Sequence, residues 1–542
     1  MHQIEDIYCK YSLVIAFQQV ILTESTMRTL WAGCVGLCFI SLLTAVSGEL
    51  RLASYYGDHM VLQKAPERAV IWGYGTNNTT VVVSLSGLSN RNTYRSTVRD
   101  SIWRVTLDPV KAGGPYNVSA VESGGSDGKI MITDVMFGDV WLCGGQSNMA
   151  FTVSQVNNSL AELALASKFP DVRIFQVALE TSLVELTDLS GVSVPWSVPT
   201  AHLLGGGDFT HFSAVCWLFG RYLYQTLQYP IGLVESCWGG TPVEAWSSSR
   251  PLQKCGIPQT PKSHDDFKED EPLLLAGPKE NSVLWNAMIH PLLNMTITGA
   301  IWYQGENNGN YNRDKYSCTF PGMIDDWRMA FNKGSGGQTA ADFPFGFVQL
   351  CTNKQSNVPD GFPEIRWHQT ADFGYVPNER MKRTFMAVAL DLHDAASPWG
   401  AIHPRFKQDV AYRLTLGARA VAYGEKGVSH QGPFPSSVHV NGTYLILTYD
   451  QNVFATPAKD TFEVCCSMEK VQCSSADIFW ISAPMVPQDP STVAVSLGGC
   501  AAEHVASLRY AWKDWPCGFK ACPVYSADRV LPAPPFVLHR WP

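Results

Sequence analysis

Apolar positions change their spacing twice along the chain. Over 50–133, short runs alternate apolar and polar residues (69–72, 80–85, 103–107 and 130–132), with Gly-Tyr-Gly, Gly-Gly and Asp-Gly turns between them. This pattern predicts a small antiparallel β-sandwich. Over 134–427 the runs become continuously apolar, at 135–143, 231–237, 297–304, 345–350 and 384–390. Helical stretches at 215–227, just after Ser213, and at 403–423, with Pro404 near its start, stand between or after them. Buried strands alternating with helices predict a mostly parallel sheet. A proline in a first helical turn is tolerated because its missing amide hydrogen has no partner there anyway. From 428 the period returns to two, with strands expected at 438–440, 444–449, 478–481 and 493–497. The polar, proline-containing stretch 254–281 reads as a surface loop. The expected architecture is an α/β core over 134–427 flanked by β-sandwich-like domains at 49–133 and 428–542.

The segment 1–48 stands apart. Met27-Arg28-Thr29 precedes an apolar run to Val46, which ends in Val46-Ser47-Gly48. A charge, an apolar stretch and a small-residue exit describe a secretory signal peptide. The run is close to the length of a membrane span, but its small-residue end favours cleavage. Residues 1–26 read as an upstream extension, with Met27 an alternative start, and the mature chain is expected to begin near Glu49 without a membrane span.

Composition adds constraints. With 46% hydrophobic and 16% charged residues over 542 positions, the chain has enough apolar material for a large core. A net charge of −8 gives no electrostatic reason to expect nucleic acid. Of the 15 cysteines, 12 lie beyond Gly48, an even number compatible with disulfides. None shows zinc-site spacing, so neither a metal nor another cofactor is expected. Acceptor sequons for N-glycans occur at Asn77, Asn78, Asn117, Asn157, Asn294 and Asn441, which fits a luminal, glycosylated protein.

Sites in open α/β sheets form beyond the carboxyl ends of the strands, so the residues just past each run carry the chemistry. After 135–143 comes Gly144-Gly145-Gln146-Ser147-Asn148-Met149, a tight turn that exposes a hydroxyl. After 231–237 comes Trp238-Gly239-Gly240-Thr241-Pro242, and after 297–304 comes Gly305-Glu306-Asn307-Asn308. After 384–390 come Asp391-Leu392-His393-Asp394 and then Ile402-His403-Pro404. These blocks, in the order Ser, Gly, Asn, His, resemble the SGNH hydrolases and, more closely, the sialate O-acetylesterases. The resemblance extends to Ala506-Ser507-Leu508-Arg509-Tyr510-Ala511-Trp512 and Pro534-Pro535-Phe536, and so covers most of the mature chain.

The resemblance implies an SGNH-hydrolase-like core. It also implies a serine esterase that removes O-acetyl groups from the glycerol side chain of sialic acids or sialoglycans, in lysosomes or secreted. Ser147 is the expected nucleophile and His403 the base, with His393 the nearest rival. The implied oxyanion donors are the amides of Ser147 and Gly239 and the side chain of Asn307; Gly240 and Asn308 are the neighbouring alternatives. The superfamily usually places an aspartate three residues before the histidine, and here Gly400 stands there. Asp391, directly after a strand, is the preferred orienting acid. Asp394 and a backbone carbonyl, which would leave a Ser-His dyad, stay open. Arg405 is a candidate for the carboxylate of a sialic acid. Two other functions fit the same blocks: an acetylesterase for neutral polysaccharides such as xylan, and a glycan-binding protein with a relic catalytic domain.

Overall fold

The computed structural model describes residues 49–87, 92–123, 128–258, 276–354, 361–467, 473 and 479–539. The expected signal segment and most of the expected loop at 254–281 lie outside the described residues.

The nucleophile strand, β1 (Lys129–Gly145), organises the fold. Its fully buried second half is flanked by β4 (Ile231–Cys237) and β5 (Gly299–Tyr303), both parallel to it. The sheet continues through β2 (Val172–Val177) and the antiparallel edge strand β3 (Val192–Ser197) on one side. On the other side lie β6 (Phe345–Gln349) and β7 (Thr384–Val388), giving the order β3-β2-β4-β1-β5-β6-β7. Strand order reverses around β1, so the crevice for a site opens at its carboxyl end.

The helices that cover the sheet begin where the chain allows. In α1 (Ala214–Leu227), the side chain of Ser213 accepts the amide hydrogen of Cys216 and caps the first turn. A disulfide between Cys143 and Cys216 ties this helix to the nucleophile strand. The helix expected at 403–423 is shorter, α2 (Lys407–Val421). Residues 401–406 form turns instead, and these turns hold His403 in place.

A single 17-residue strand, β1, crosses the boundary expected at residue 133/134. Its first half pairs antiparallel with Gly113–Ser123 and its second half joins the parallel sheet. The N-terminal β region therefore shares a strand with the core. The C-terminal region forms two four-stranded antiparallel sheets with its own apolar cluster around Leu447, Phe462, Leu508, Tyr510 and Phe536. Disulfides Cys465–Cys473, Cys466–Cys500 and Cys517–Cys522 pin its loops, and Cys255–Cys318 closes a span in the core region. Five disulfides fit a protein folded in an oxidising, secretory compartment. No helix among the described residues is long and apolar enough to cross a membrane.

Candidate active site

At the end of β1 the chain must turn sharply to start a one-turn helix, Ser147–Ala150. Gly145 makes this possible: its φ is +139°, and a Cβ there would lie 2.2 Å from the Tyr303 carbonyl oxygen. Only glycine can let the two backbones approach so closely. The amide of Gln146 donates to that same carbonyl at 2.9 Å, and its side-chain oxygen accepts from the amides of Gly305 and Asn307. The amide of Trp238 donates to the Gly145 carbonyl at 3.1 Å. The Ser, Gly and Asn segments are thus stitched together at the carboxyl ends of three neighbouring strands.

His403 completes the arrangement. Its Nε2 lies 2.8 Å from Ser147 Oγ, and its Nδ1 lies 2.8 Å from the Trp399 carbonyl oxygen. A carbonyl can only accept, so Nδ1 carries the ring hydrogen and Nε2 faces the serine hydroxyl with its lone pair. Phe151, Phe209 and Trp399 line this side: Phe151 stacks on the imidazole at 6.5 Å, Phe209 meets it edge-on at 5.2 Å, and Trp399 packs on Phe151. Desolvation by this burial lowers the His403 pKa to about 4; the Trp399 carbonyl opposes the shift, and nearby Lys407 adds to it.

Asp391 does not reach His403, which corrects the sequence expectation. Its fully buried carboxylate is gripped by both terminal nitrogens of Arg413, at 2.6 and 2.8 Å, and accepts the Tyr525 hydroxyl at 2.9 Å. A buried carboxylate is stable only with strong donors, and a bidentate guanidinium outcompetes a single imidazole hydrogen. Asp394 is likewise occupied, bridging to Arg405 at 2.6 and 2.9 Å. Gly400, where the superfamily's acid would stand, has φ +83° and serves the turn: its carbonyl accepts the His403 amide. His393 packs against Trp515 at 4.3 Å and makes no hydrogen bond to Ser147.

The neighbouring asparagines divide their work. Both ends of the Asn308 amide are used: it donates to Glu244 and the Tyr311 carbonyl and accepts from the Val243 amide and Gln304. The half-buried Asn307 side chain makes no hydrogen bond among the described residues and is the one with a donor to spare. Of the two glycines, Gly240 takes the left-handed turn conformation, with φ +69°, and Gly239 is buried beside it.

Residues that sequence reasoning did not single out lie just beneath. Asn148 donates to Glu306 Oε1 at 2.6 Å and to the Ile402 carbonyl at 2.9 Å, and it accepts from Lys407 Nζ at 2.5 Å. Asn148 and Glu306 sit inside the recognised blocks, but nothing in their spacing reveals that they meet. No group of His, Cys, Asp or Glu among the described residues has the arrangement of a metal site. Of the sequon asparagines, Asn77, Asn78, Asn117, Asn157 and Asn441 are exposed, whereas Asn294 is half-buried and accepts from Arg104 at 2.9 Å.

Comparison with known proteins gives the same picture. Residues 137–362 match the family described as carbohydrate esterase, sialic acid-specific acetylesterase, and residues 436–540 match the sialate O-acetylesterase C-terminal domain. The chain is 51% identical to the Mus musculus sialate O-acetylesterase over 515 residues, covering 90% of this chain and 94% of the relative. It is 50% identical to the Homo sapiens protein of the same name over 498 residues, covering 90% and 92%. Among solved structures, a carbohydrate acetylesterase from Xanthomonas citri superposes with a TM-score of 0.72 at 27% identity, covering 91% of this chain and all of that one. Fold, site and sequence agree: the chain belongs to the sialate O-acetylesterase family of carbohydrate esterases.

Proposed function

We propose that the protein is a serine esterase that removes O-acetyl groups from sialic acids through an acetyl-enzyme. The observation that carries this reading is the 2.8 Å contact between Ser147 Oγ and His403 Nε2 at the end of the central strand. Ser147 Oγ attacks the acetyl carbonyl carbon while His403 Nε2 takes its proton. The negative charge that develops on the carbonyl oxygen meets the amide hydrogens of Ser147 and Gly239 and the Asn307 side chain. The intermediate collapses, the sugar oxygen leaves with the proton held on Nε2, and an acetyl ester remains on Ser147. Water then attacks that ester, again losing a proton to His403, and acetate departs with Ser147 restored. No carboxylate takes part: the Trp399 carbonyl holds the tautomer, and the pair works as a dyad.

The substrate class rests on relatives that bear the name sialate O-acetylesterase at about half identity over nearly their whole length. The disulfides and the exposed sequons support a luminal route, to lysosomes or out of the cell, with N-glycans at the exposed sequon asparagines Asn77, Asn78, Asn117, Asn157 and Asn441.

The test joins labelling with substrate choice. A fluorophosphonate should add mass at Ser147, and Ser147→Ala should abolish turnover of O-acetylated sialic acid in a folded protein. Faster hydrolysis of acetylated xylan than of O-acetylated sialic acid would replace the substrate assignment while keeping the esterase. Wild-type turnover by Ser147→Ala would overturn the mechanism.

A further inference from the structure

Four segments carry the proposed catalytic groups, and one buried side chain ties three of them together. Asn148 adjoins the nucleophile and is almost wholly buried. Its amide hydrogens go to Glu306, the neighbour of Asn307, and to the carbonyl of Ile402, the neighbour of His403. Its amide oxygen accepts from Lys407, the first residue of α2. Neither Glu306 nor the carbonyl offers Asn148 a donor when Glu306 is ionised, and the lysine offers only donors when protonated. The amide therefore has one orientation, and the Ser147–His403 contact inherits it.

Lys407 has no access to solvent, and its Nζ also lies over the rings of Phe151 at 4.7 Å and Tyr303 at 5.1 Å. Phe151 is the ring that stacks on His403. An ammonium between two ring faces and an amide oxygen is held in place by cation–π attraction and one charge-assisted hydrogen bond. The ionisable groups facing it come from every neighbouring segment: Glu306 after β5, Cys351 after β6, Asp394 after β7, and His403 itself.

We propose that Lys407 is the positioning residue of the active site, acting through Asn148 and Glu306 to fix the serine and histidine segments relative to each other. The inference rests on Ser147 and His403 being the reacting pair. Burial lowers the Lys407 pKa to about 7, so it carries charge in an acidic lumen and opposes protonation of His403. Desolvation keeps the general base from protonating at low pH, where a free histidine would be charged, and the Lys407 ammonium adds to that effect.

The experiment compares wild type, Lys407→Met, Glu306→Gln, Ser147→Ala and His403→Ala as full-length protein from secretory-pathway cells. Para-nitrophenyl acetate serves as substrate, so that the result does not depend on which sugar is recognised. Methionine matches the shape of lysine without its charge, and glutamine keeps an acceptor for Asn148. For Lys407→Met the expected result is a fall in kcat of about a hundredfold with KM little changed. The acid limb of kcat/KM should also move upward, because the charge opposing His403 protonation is gone. Fluorophosphonate labelling of Ser147 should slow in parallel. Should Lys407→Met fail to fold, Glu306→Gln decides, and a smaller fall in kcat with a proportionate loss of labelling rate supports the proposal. Folded variants with an unmoved acid limb and kcat within twofold of wild type would overturn it. If Ser147→Ala or His403→Ala stayed active, the dyad itself would fail, and this inference with it.

Discussion

On the proposed mechanism, His403 and Asn307 show how few groups the chemistry needs once the backbone is correctly placed. The imidazole takes its orientation from the Trp399 carbonyl, an acceptor that no side-chain substitution can remove. That carbonyl is fixed by its turn, in which Ser397 Oγ donates to the His403 carbonyl at 2.6 Å and the His403 amide bonds back to Gly400. The Asn307 side chain makes no hydrogen bond among the described residues and so can meet an oxygen that becomes charged only in the transition state. Asn307→Ala should therefore lower kcat by about a hundred- to a thousandfold and leave KM nearly unchanged. Steady-state kinetics on a soluble acetyl ester checks this, and a pure KM effect would assign Asn307 to ground-state binding.

At the scale of elements, Asp391 joins two parts of the molecule. It lies just past β7 and binds Arg413 from α2 together with Tyr525 from the C-terminal β region. The amide of Lys520 also donates to its backbone carbonyl at 2.9 Å. Removing the charge would leave a buried guanidinium unpaired, so Asp391→Asn should destabilise the protein by about 3–5 kcal/mol. The folded fraction should keep near-normal kcat below its melting temperature, because the carboxylate makes no contact with His403. Denaturant titration alongside kinetics separates the two effects. A large loss of kcat at full stability would restore Asp391 to the catalytic group. That pairing was not legible in the sequence: position after a strand predicted a carboxylate at the sheet edge, but which cation claims it depends on a helix and a β region packed against the strand.

Across the whole molecule, buried ionisable groups contribute opposing slopes to how stability varies with pH. Burial raises the Glu235 carboxyl from its ordinary 4.5 to about 7, partly offset by hydrogen bonds from the Ser213 amide, Cys237 and Gln176. Between those values the unfolded chain has lost a proton that the folded chain keeps, so this contribution is full below 4.5 and falls away as pH rises through about 7. Lys407 acts in the opposite sense: it is lowered from 10.5 to about 7, and its contribution is full above 10.5 and falls away as pH drops through about 7. His403, lowered from 6.5 to about 4, acts in the same sense as Lys407: its contribution is full above 6.5 and falls away as pH drops through about 4, so it opposes the Glu235 slope between about 4.5 and 6.5. Thermal melts across the range should show the wild-type advantage over Glu235→Gln shrinking as pH rises from 4.5 to about 7, and that over Lys407→Met shrinking as pH falls from 10.5 to about 7. A curve that Glu235→Gln leaves unchanged would show that other groups govern the acid side.

Local pattern by itself determined the central strands and the turn that displays Ser147 after the first of them, while the resemblance of the blocks past each strand supplied the order Ser, Gly, Asn and His. Periodicity and turn chemistry are properties of neighbouring residues, so they can be read along the chain. Tertiary structure alone decided the rest. It put a backbone carbonyl where an acid was expected, because every carbonyl is chemically alike until a turn aims one. It delivered Lys407 to Asn148 across 259 positions of sequence, paired ten cysteines into five bridges, and ran one strand through two regions that the pattern divides. Each of these depends on which distant surfaces pack together, and that information is held in the core as a whole.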